Sequence, residues 1–142
     1  MKHLLRQIVV LAAIGGGIWI VTAWPRINDV ETGKTPEYPD LAPHDYGASV
    51  DAVVRGINDT TARLPRWEIV GTGKGAAGSE IQAVKTLPAM PLLKYDVSIK
   101  VRRQGGRSHV TVRSRSRTGP WDFGQNARNV RELLEALDRE VF

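Results

Sequence analysis

Residues 95–116 read YDVSIKVRRQGGRSHVTVRSRS, two runs of alternating apolar and polar residues that flank a Gly-Gly pair. Alternation with a period of two is typical of β-strands, and a two-residue glycine connection favours a tight hairpin. Pairing Gln104 with Arg107 places Val101 opposite Val110 and brings every apolar residue to one face. A shift by one residue would mix the faces, because successive side chains on a strand point to opposite sides. The sequence therefore predicts an antiparallel hairpin with one buried and one exposed face.

The exposed face of this hairpin carries a row of cations. Guanidinium groups suit phosphate, sulfate or carboxylate, because they donate two parallel hydrogen bonds to such anions. The candidate anion-binding residues are Lys100, Arg102, Arg113, Arg115 and Arg117. The alternative is a solvated sheet face, on which arginine stems cover apolar surface and Asp96 pairs with Arg115, its opposite number in the predicted register.

On the buried face of the same hairpin, two serines follow the valines of the second strand. Buried hydroxyl groups need hydrogen-bond partners, and the residues that begin the last helix follow closely in the sequence. We predict a polar clasp that fixes the strand to this helix. The alternative is a ligand site, at which the N-terminus of the helix receives an anion. The candidates for either role are Ser114, Ser116, Asp122, Asn126 and Arg128.

Helical and strand patterns surround the hairpin. An apolar stripe with a period of 3.6 residues predicts a helix over 49–64, with Ser49 as its N-cap. Short runs rich in β-branched residues predict strands at 66–72 and 80–87, and a final helix is predicted with Asp122 as its N-cap. The order α-β-β-β-β-α predicts a two-layer α+β domain, in which two helices cover the apolar face of a four-stranded antiparallel sheet.

Residues 73–78 read GKGAAG and match the G-x-G-x-x-G pattern of dinucleotide-binding loops. A true fingerprint leads into a crossover helix, whereas the residues after Gly78 have the pattern of another strand. The glycines are therefore interpreted as a flexible hairpin, and no cofactor is predicted.

The first 25 residues have the composition of a membrane segment. Lys2, His3 and Arg6 precede Ile8–Trp24, a run without a charged side chain. Such a run is just long enough to cross a bilayer, so one transmembrane helix is predicted, with the N-terminus in the cytoplasm and the domain on the periplasmic or other extracytoplasmic side of an inner membrane. The alternative is a signal peptide cleaved near Ala23, which would release the domain into the periplasm.

The remaining sequence divides into a tether and a domain. Residues 26–38 contain proline and scattered charge without periodicity, which predicts a tether, and residues 39–142 are expected to form the globular domain. The formal net charge is +5, but residues 94–117 alone carry eight basic residues and one acidic residue. The positive charge is therefore a local patch.

Several chemistries are excluded or disfavoured by composition. The chain has no cysteine, which excludes disulfides and thiol catalysis, and its three histidines lack the spacing of metal ligands. A catalytic serine would need a histidine base, and the domain offers only His44 and His109, so catalysis is not expected. Nucleic acid is not expected as a partner, because the domain is predicted to be exported and no aromatic residue interleaves with the arginines.

The sequence resembles the domain of unknown function 1499 family over residues 39–137. The resemblance is carried by PDLAP at 39–43, by LPRWEIV at 64–70, and by VRSRSR at 112–117, followed by residues in the pattern G-x-x-D-x-G-x-N-A-R at 119–128. The layout is similar to that of members with an N-terminal membrane segment or export signal. The resemblance implies no catalytic residue, since the family has no established function.

These observations predict a membrane-tethered envelope domain that binds an anionic partner through its basic hairpin. A lipid headgroup, an envelope polysaccharide and an acidic protein all have the required charge. The alternative function is a small-ligand-binding or hydrolytic domain whose site lies around Ser114, Ser116, Asp122 and Asn126.

Overall fold

The computed structural model describes residues 7–10, 12 and 26–140. Residues 7–10 and 12 are helical and exposed, and most of the predicted membrane segment lies outside the described residues. Within the part of the chain that is described, none of the helices has the length and apolar character needed to span a bilayer.

The described chain forms an α+β fold with one antiparallel sheet. The strands are β1 (Asp29–Glu31), β2 (His44–Tyr46), β3 (Trp67–Gly75), β4 (Gly78–Thr86), β5 (Lys94–Gln104) and β6 (Arg107–Ser116), and the two helices beside them are α1 (Val50–Arg63) and α2 (Gln125–Asp138). The sheet order is β1-β6-β5-β4-β3, and β2 also pairs with β6. The predicted fold class is confirmed, but the predicted number of four strands is wrong, since the sheet has six.

The two additional strands lie end to end along the free edge of β6. β1 pairs with residues 113–115, and β2 pairs with residues 108–110. Each strand is only three residues long, too short for an alternating pattern to be visible in the sequence. β1 belongs to the segment predicted as a tether, yet Val30 is fully buried and the Thr32 hydroxyl accepts a hydrogen bond from the Val112 amide. This part of the segment is therefore packed on the domain.

The β5–β6 hairpin has the predicted register. Gln104 pairs with Arg107, Val101 with Val110, and the pairing continues without interruption to Tyr95 and Ser116. The turn residues Gly105 and Gly106 have φ values of 55° and 79°, a conformation that glycine adopts without strain. The apolar side chains of both strands face the helices, which confirms the prediction of one buried face.

The predicted glycine-rich hairpin is also present. β3 ends at Gly75 and β4 begins at Gly78, so only two residues form the turn between them. A Cβ atom on Gly78 would lie 2.0 Å from the carbonyl oxygen of Val101 on the neighbouring strand. Glycine at this position therefore allows two strands to approach closely.

Both helices pack on the apolar face of the sheet. The first begins as predicted, with the Ser49 hydroxyl accepting a hydrogen bond from the Ala52 amide at 3.2 Å. The core between helices and sheet consists mainly of branched aliphatic residues. Its fully buried members include Val53, Ile57, Ile81, Val97, Ile99, Val101, Val110, Val112, Val130, Leu133 and Leu137.

The last helix begins later than predicted. Asp122 is not its N-cap, because Phe123 and Gly124 have φ values of 52° and 76° and cannot continue a right-handed helix. Gly124 is the N-cap, and it provides no side-chain hydrogen bond. The carboxylate of Asp122 still accepts hydrogen bonds from the amides of Gly124 and Asn126, at 2.8 and 2.5 Å. The Asp122 carboxylate therefore binds free amides at the N-terminus of α2, although Asp122 lies two residues before the N-cap of this helix.

Candidate functional site

Two arginines of the predicted anion-binding row are already paired with carboxylates. Arg113 binds Asp29 through two hydrogen bonds, one of them 2.8 Å from Nε to Oδ1. Arg117 binds Asp96 in the same bidentate way, with 2.6 Å between Nη2 and Oδ1. The hydrogen bond from Arg113 holds the pKa of Asp29 below its ordinary value, and the bond to Asp96 raises the pKa of Arg117. Each of the two guanidinium groups is therefore already paired with a carboxylate of the protein.

The predicted pair of Asp96 with Arg115 is wrong, although the two residues lie opposite each other as expected. The carboxylate binds Arg117, two residues beyond Arg115 and directly after the end of β6. Diagonal neighbours of this kind lie about 7 Å apart, within reach of an arginine side chain. Arg115 has no ion-pair partner among the described residues, but the strand register places it between Asp29 and Asp96.

A second group of cations surrounds the turn of the β5–β6 hairpin. We call it the hairpin-tip cluster, and it consists of Lys100, Arg102, Arg103 and Arg107, all exposed. Within residues 26–140, none of the four forms an ion pair with a carboxylate. Among the described residues, the only side-chain hydrogen bond of the cluster runs from Arg107 to the carbonyl oxygen of Asp45, at 3.1 Å. Sequence reasoning selected Lys100 and Arg102 but missed the other two, although they flank the same Gly-Gly turn.

A groove on the outer face of the sheet has mixed charge. It has a volume of about 400 Å³, and Lys100 and Arg113 line it together with Glu31, Lys34 and Glu80. Lys34 pairs with Glu31 at 2.7 Å, and Glu80 accepts hydrogen bonds from neighbouring side chains. An anion in this groove would lie beside two carboxylates, so the groove is a poor anion site.

Ser114, one of three buried serines on β6, forms the contact expected of a polar clasp. Ser114 donates a hydrogen bond to Asn126 Oδ1 at 2.7 Å and accepts one from Asn129 Nδ2 at 3.3 Å. Asn126 also donates to the carbonyl oxygen of Asn28 at 2.8 Å. The side chains of Ser114, Asn126 and Asn129 are fully buried. These hydrogen bonds connect β6, α2 and the residue before β1.

Of the other clasp candidates, Asp122 contacts Asn126 by accepting a hydrogen bond from its backbone amide, whereas Ser116 and Arg128 have other partners. Ser116 donates to the carbonyl oxygen of Thr118 at 2.7 Å, within its own turn. Arg128 is exposed and donates to Gln125 and to the carbonyl oxygen of Phe123. Because Ser114 and Ser116 both donate their protons to other acceptors, neither is hydrogen-bonded to a histidine base.

The two histidines of the domain bind carboxylates and not serine hydroxyls. Nδ1 of His109 lies 2.7 Å from Asp45, and Nδ1 of His44 lies 2.9 Å from Asp138. The hydroxyl of Tyr46 donates to the same Asp138 oxygen at 2.6 Å. Partial burial opposes ionisation of Asp138, but the hydrogen bonds from Tyr46 and His44 hold the pKa of this carboxyl below its ordinary value. Among the described residues no group of three or more side chains is arranged to hold a metal ion.

A buried lysine forms a polar cluster that sequence reasoning missed. Lys85 is 5% exposed, and its ammonium group lies 2.7 Å from Glu132 Oε2 and 2.9 Å from the carbonyl oxygen of Pro65. The same carboxylate oxygen accepts a hydrogen bond from the indole of Trp67 at 2.9 Å. The four-residue spacing on α2 predicts that Glu132 pairs with Arg128. This prediction is wrong, because Glu132 binds Lys85 and Trp67 instead. Lys85 lies two residues beyond buried Ala83, so the two side chains are on the same face of β4. This spacing could have indicated that Lys85 is buried.

An apolar groove lies at the end of the sheet opposite the hairpin tip. It has a volume of about 450 Å³ and separates the β4–β5 loop from the β6–α2 loop. Its apolar lining consists of Leu87, Met90, Leu93, Tyr95, Trp121 and Phe123. The rings of Trp121 and Phe123 stack at 5.9 Å, and the guanidinium of Arg26 lies 5.2 Å from the Trp121 ring centre.

Fold and site together define a two-layer α+β domain whose sheet and helices are joined by buried polar contacts. The model of the family described as "Protein of unknown function (DUF1499)" matches residues 20–137. The chain belongs to this family, which confirms the resemblance found in the sequence.

Other comparisons add little to this assignment. Among solved structures, the chain is similar to one titled "Crystal structure of Ara h 8.0201", with a TM-score of 0.37 and 14% sequence identity. The match covers 78% of this chain and 94% of that chain. A comparison with curated proteins returned no match.

Proposed function

We propose that this protein is a non-enzymatic envelope module, held at a membrane by its N-terminal segment, which binds a polyanion through the hairpin-tip cluster. The observation that carries the proposal is the set of guanidinium groups of Arg102, Arg103 and Arg107 beside a two-residue turn. They are exposed and, within residues 26–140, none of them forms an ion pair; Arg103 acts only at longer range on Asp51, which is paired with Lys74. Carboxylates and phosphates are the anions that such groups bind most strongly.

The cluster is a better anion site than the row of arginines predicted from the sequence. An anion that binds Arg113 or Arg117 must displace Asp29 or Asp96 from a bidentate pair. The arginines at the tip require no such exchange. Glycine residues in the turn leave space around the guanidinium groups, because they have no side chains.

The position of the tip favours a soluble polymer over a lipid headgroup as the partner. β5 runs from Lys94 to Gln104, so its ends lie roughly 35 Å apart at 3.3 Å per residue. Arg26, the first residue of the described stretch 26–140, contacts Trp121 at the opposite end from the tip. If the N-terminal segment is anchored, the cluster projects away from the bilayer toward acidic polysaccharide or protein.

Binding of a defined polyanion tests the proposal. We expect the full chain, held in nanodiscs of neutral phosphatidylcholine, to bind fluorescent poly-L-glutamate or polyphosphate at low salt and to lose affinity as salt rises, because salt screens exposed charge. The variant Arg102→Gln/Arg107→Gln should bind about tenfold more weakly, a loss of about 1.4 kcal/mol. Affinity is measured by fluorescence anisotropy.

The matched control removes the same amount of charge from β6 and the residue that follows it. Arg113→Gln/Arg117→Gln should change the affinity less than about twofold, since these residues are already paired. Equal losses in both variants would show that only net charge matters and would contradict a specific tip site. Tip-dependent binding to phosphatidylglycerol vesicles without binding to either polymer would contradict the choice of a polymer.

A further inference from the structure

Exposed apolar side chains are concentrated at the end of the sheet opposite the hairpin tip. Within residues 26–140 the large apolar side chains that are exposed are Leu92 (89%), Val70 (58%), Met90 (53%) and Phe123 (44%). All except Val70 belong to the β4–β5 and β6–α2 loops, on the two sides of the apolar groove. We call these loops, residues 87–93 and 117–124, the apolar end of the domain.

The predicted membrane segment meets the domain at this end. Arg26 stacks on Trp121 of the apolar end, and the uncharged run of the sequence stops at Trp24. Two residues of chain span at most ~7 Å, so connectivity limits the distance between the end of the apolar run and Arg26 to about this value. An anchored segment would therefore hold the apolar end close to the bilayer.

The charges around the apolar end suit a bilayer surface. Within residues 26–140, Arg26, Lys94 and Arg128 form no ion pair with a carboxylate. The Asp122 carboxylate in this region is buried and accepts hydrogen bonds from backbone amides. Cations beside exposed apolar side chains place their charge at phosphate level while their neighbours enter the headgroup region.

The backbone at Phe123 provides a separate indication. Its φ of 52° is costly for an aromatic residue, and strain of this kind is often found at functional positions. The ring does not join the main core, since 44% of the residue is exposed. The strained position thus presents an aromatic ring to the surface next to Trp121. The indole of Trp121 favours a membrane interface, and the phenyl ring adds apolar area that can enter it.

We propose that the apolar end is a membrane-docking surface, on which Met90, Leu92 and Phe123 enter the interface of the bilayer that holds the N-terminal segment. This rests on the anchoring part of the proposed function, but not on polyanion binding. Docking fixes the orientation of the domain, with the long axis of the hairpin pointing away from the bilayer.

Single labelled cysteines test the docking, because the chain contains no cysteine of its own. The full chain carrying Leu92→Cys with an NBD fluorophore is reconstituted into vesicles of phosphatidylethanolamine and phosphatidylglycerol. We expect nitroxide-labelled lipids to quench this label at least threefold more than a label at Val70→Cys. Both native side chains are more than half exposed, so neither change should disturb folding.

A third label separates docking from anchoring. Ile18→Cys lies in the predicted membrane segment and should be quenched by the lipid nitroxides if the segment is anchored. Quenching at residue 18 with no excess at residue 92 would overturn the docking while leaving the anchor in place. No quenching at either position would overturn both. A label at residue 92 that is shielded from aqueous iodide, but not quenched by lipid, would show that another protein surface covers it and would also overturn docking.

Discussion

Replacing Asn126 with alanine is expected to lower the free energy of unfolding by about 3 kcal/mol. The change removes the acceptor for the buried Ser114 hydroxyl and the donor to the carbonyl oxygen of Asn28. Each buried polar group left without a partner costs about 1–3 kcal/mol. Urea denaturation followed by circular dichroism measures the loss. The effect should be large because these hydrogen bonds connect the helix to both β6 and the chain before β1.

Asn58→Ala is the matched control for this change. Asn58 lies on α1, and its side chain forms no hydrogen bond among the described residues. Its replacement should change stability by less than about 0.5 kcal/mol, as is usual for positions without such contacts. Similar losses at Asn58 and Asn126 would contradict a stabilising clasp.

Replacing Glu132 with alanine is expected to cost about 3–5 kcal/mol. Lys85 is almost fully buried, and the change leaves its ammonium group with the carbonyl oxygen of Pro65 and the face of the Trp67 ring, but without a carboxylate. Removal of one member of a buried ion pair has this magnitude, because the remaining charge stays without compensation. Trp67 loses its acceptor in the same variant. Thermal and urea unfolding should both show the loss.

The double variant Lys85→Met/Glu132→Leu shows whether Glu132→Ala loses stability because a charge is left unpaired or because packing is lost. Apolar replacement of a whole buried pair is often nearly neutral, so the double variant should recover more than half of the loss caused by Glu132→Ala. Glu135→Ala, at an exposed position of the same helix, should lower the free energy of unfolding by less than about 0.5 kcal/mol. A double variant less stable than Glu132→Ala would show that the pair itself stabilises the fold.

The main features of the fold were predictable because they depend on local periodicity. Alternation from Tyr95 to Ser116, together with the Gly-Gly turn, was enough to predict the complete register of the β5–β6 hairpin. The 3.6-residue apolar stripe and Ser49 predicted α1 nearly to the residue. Shorter features lacked such a pattern, which is why the three-residue strands β1 and β2 were missed.

The candidate site was less predictable, because its contacts join residues far apart in the sequence. The partner of Arg113 is Asp29, 84 residues away on a strand that the sequence did not reveal. The partner of Asp96 depends on which of two arginines on one face reaches it, and register alone does not decide this. The late start of α2 depends on the backbone conformation of Phe123, which its residue type does not indicate. In contrast, the partner of Ser114 was predictable, since a buried hydroxyl needed a polar group from the nearby helix.

The central claim is that the two ends of the domain face opposite directions, with the apolar end at the bilayer and the hairpin tip away from it. Energy transfer to acceptor lipids measures this directly in the full chain, with one donor at Leu92→Cys or at Ala76→Cys. Ala76 lies in the β3–β4 turn, at the same end of the sheet as the hairpin tip. We predict that the donor at residue 76 lies about 30 Å further from the lipid surface than the donor at residue 92, the length of a nine-residue strand. Equal distances, or a donor at residue 76 closer to the lipid, would contradict the account.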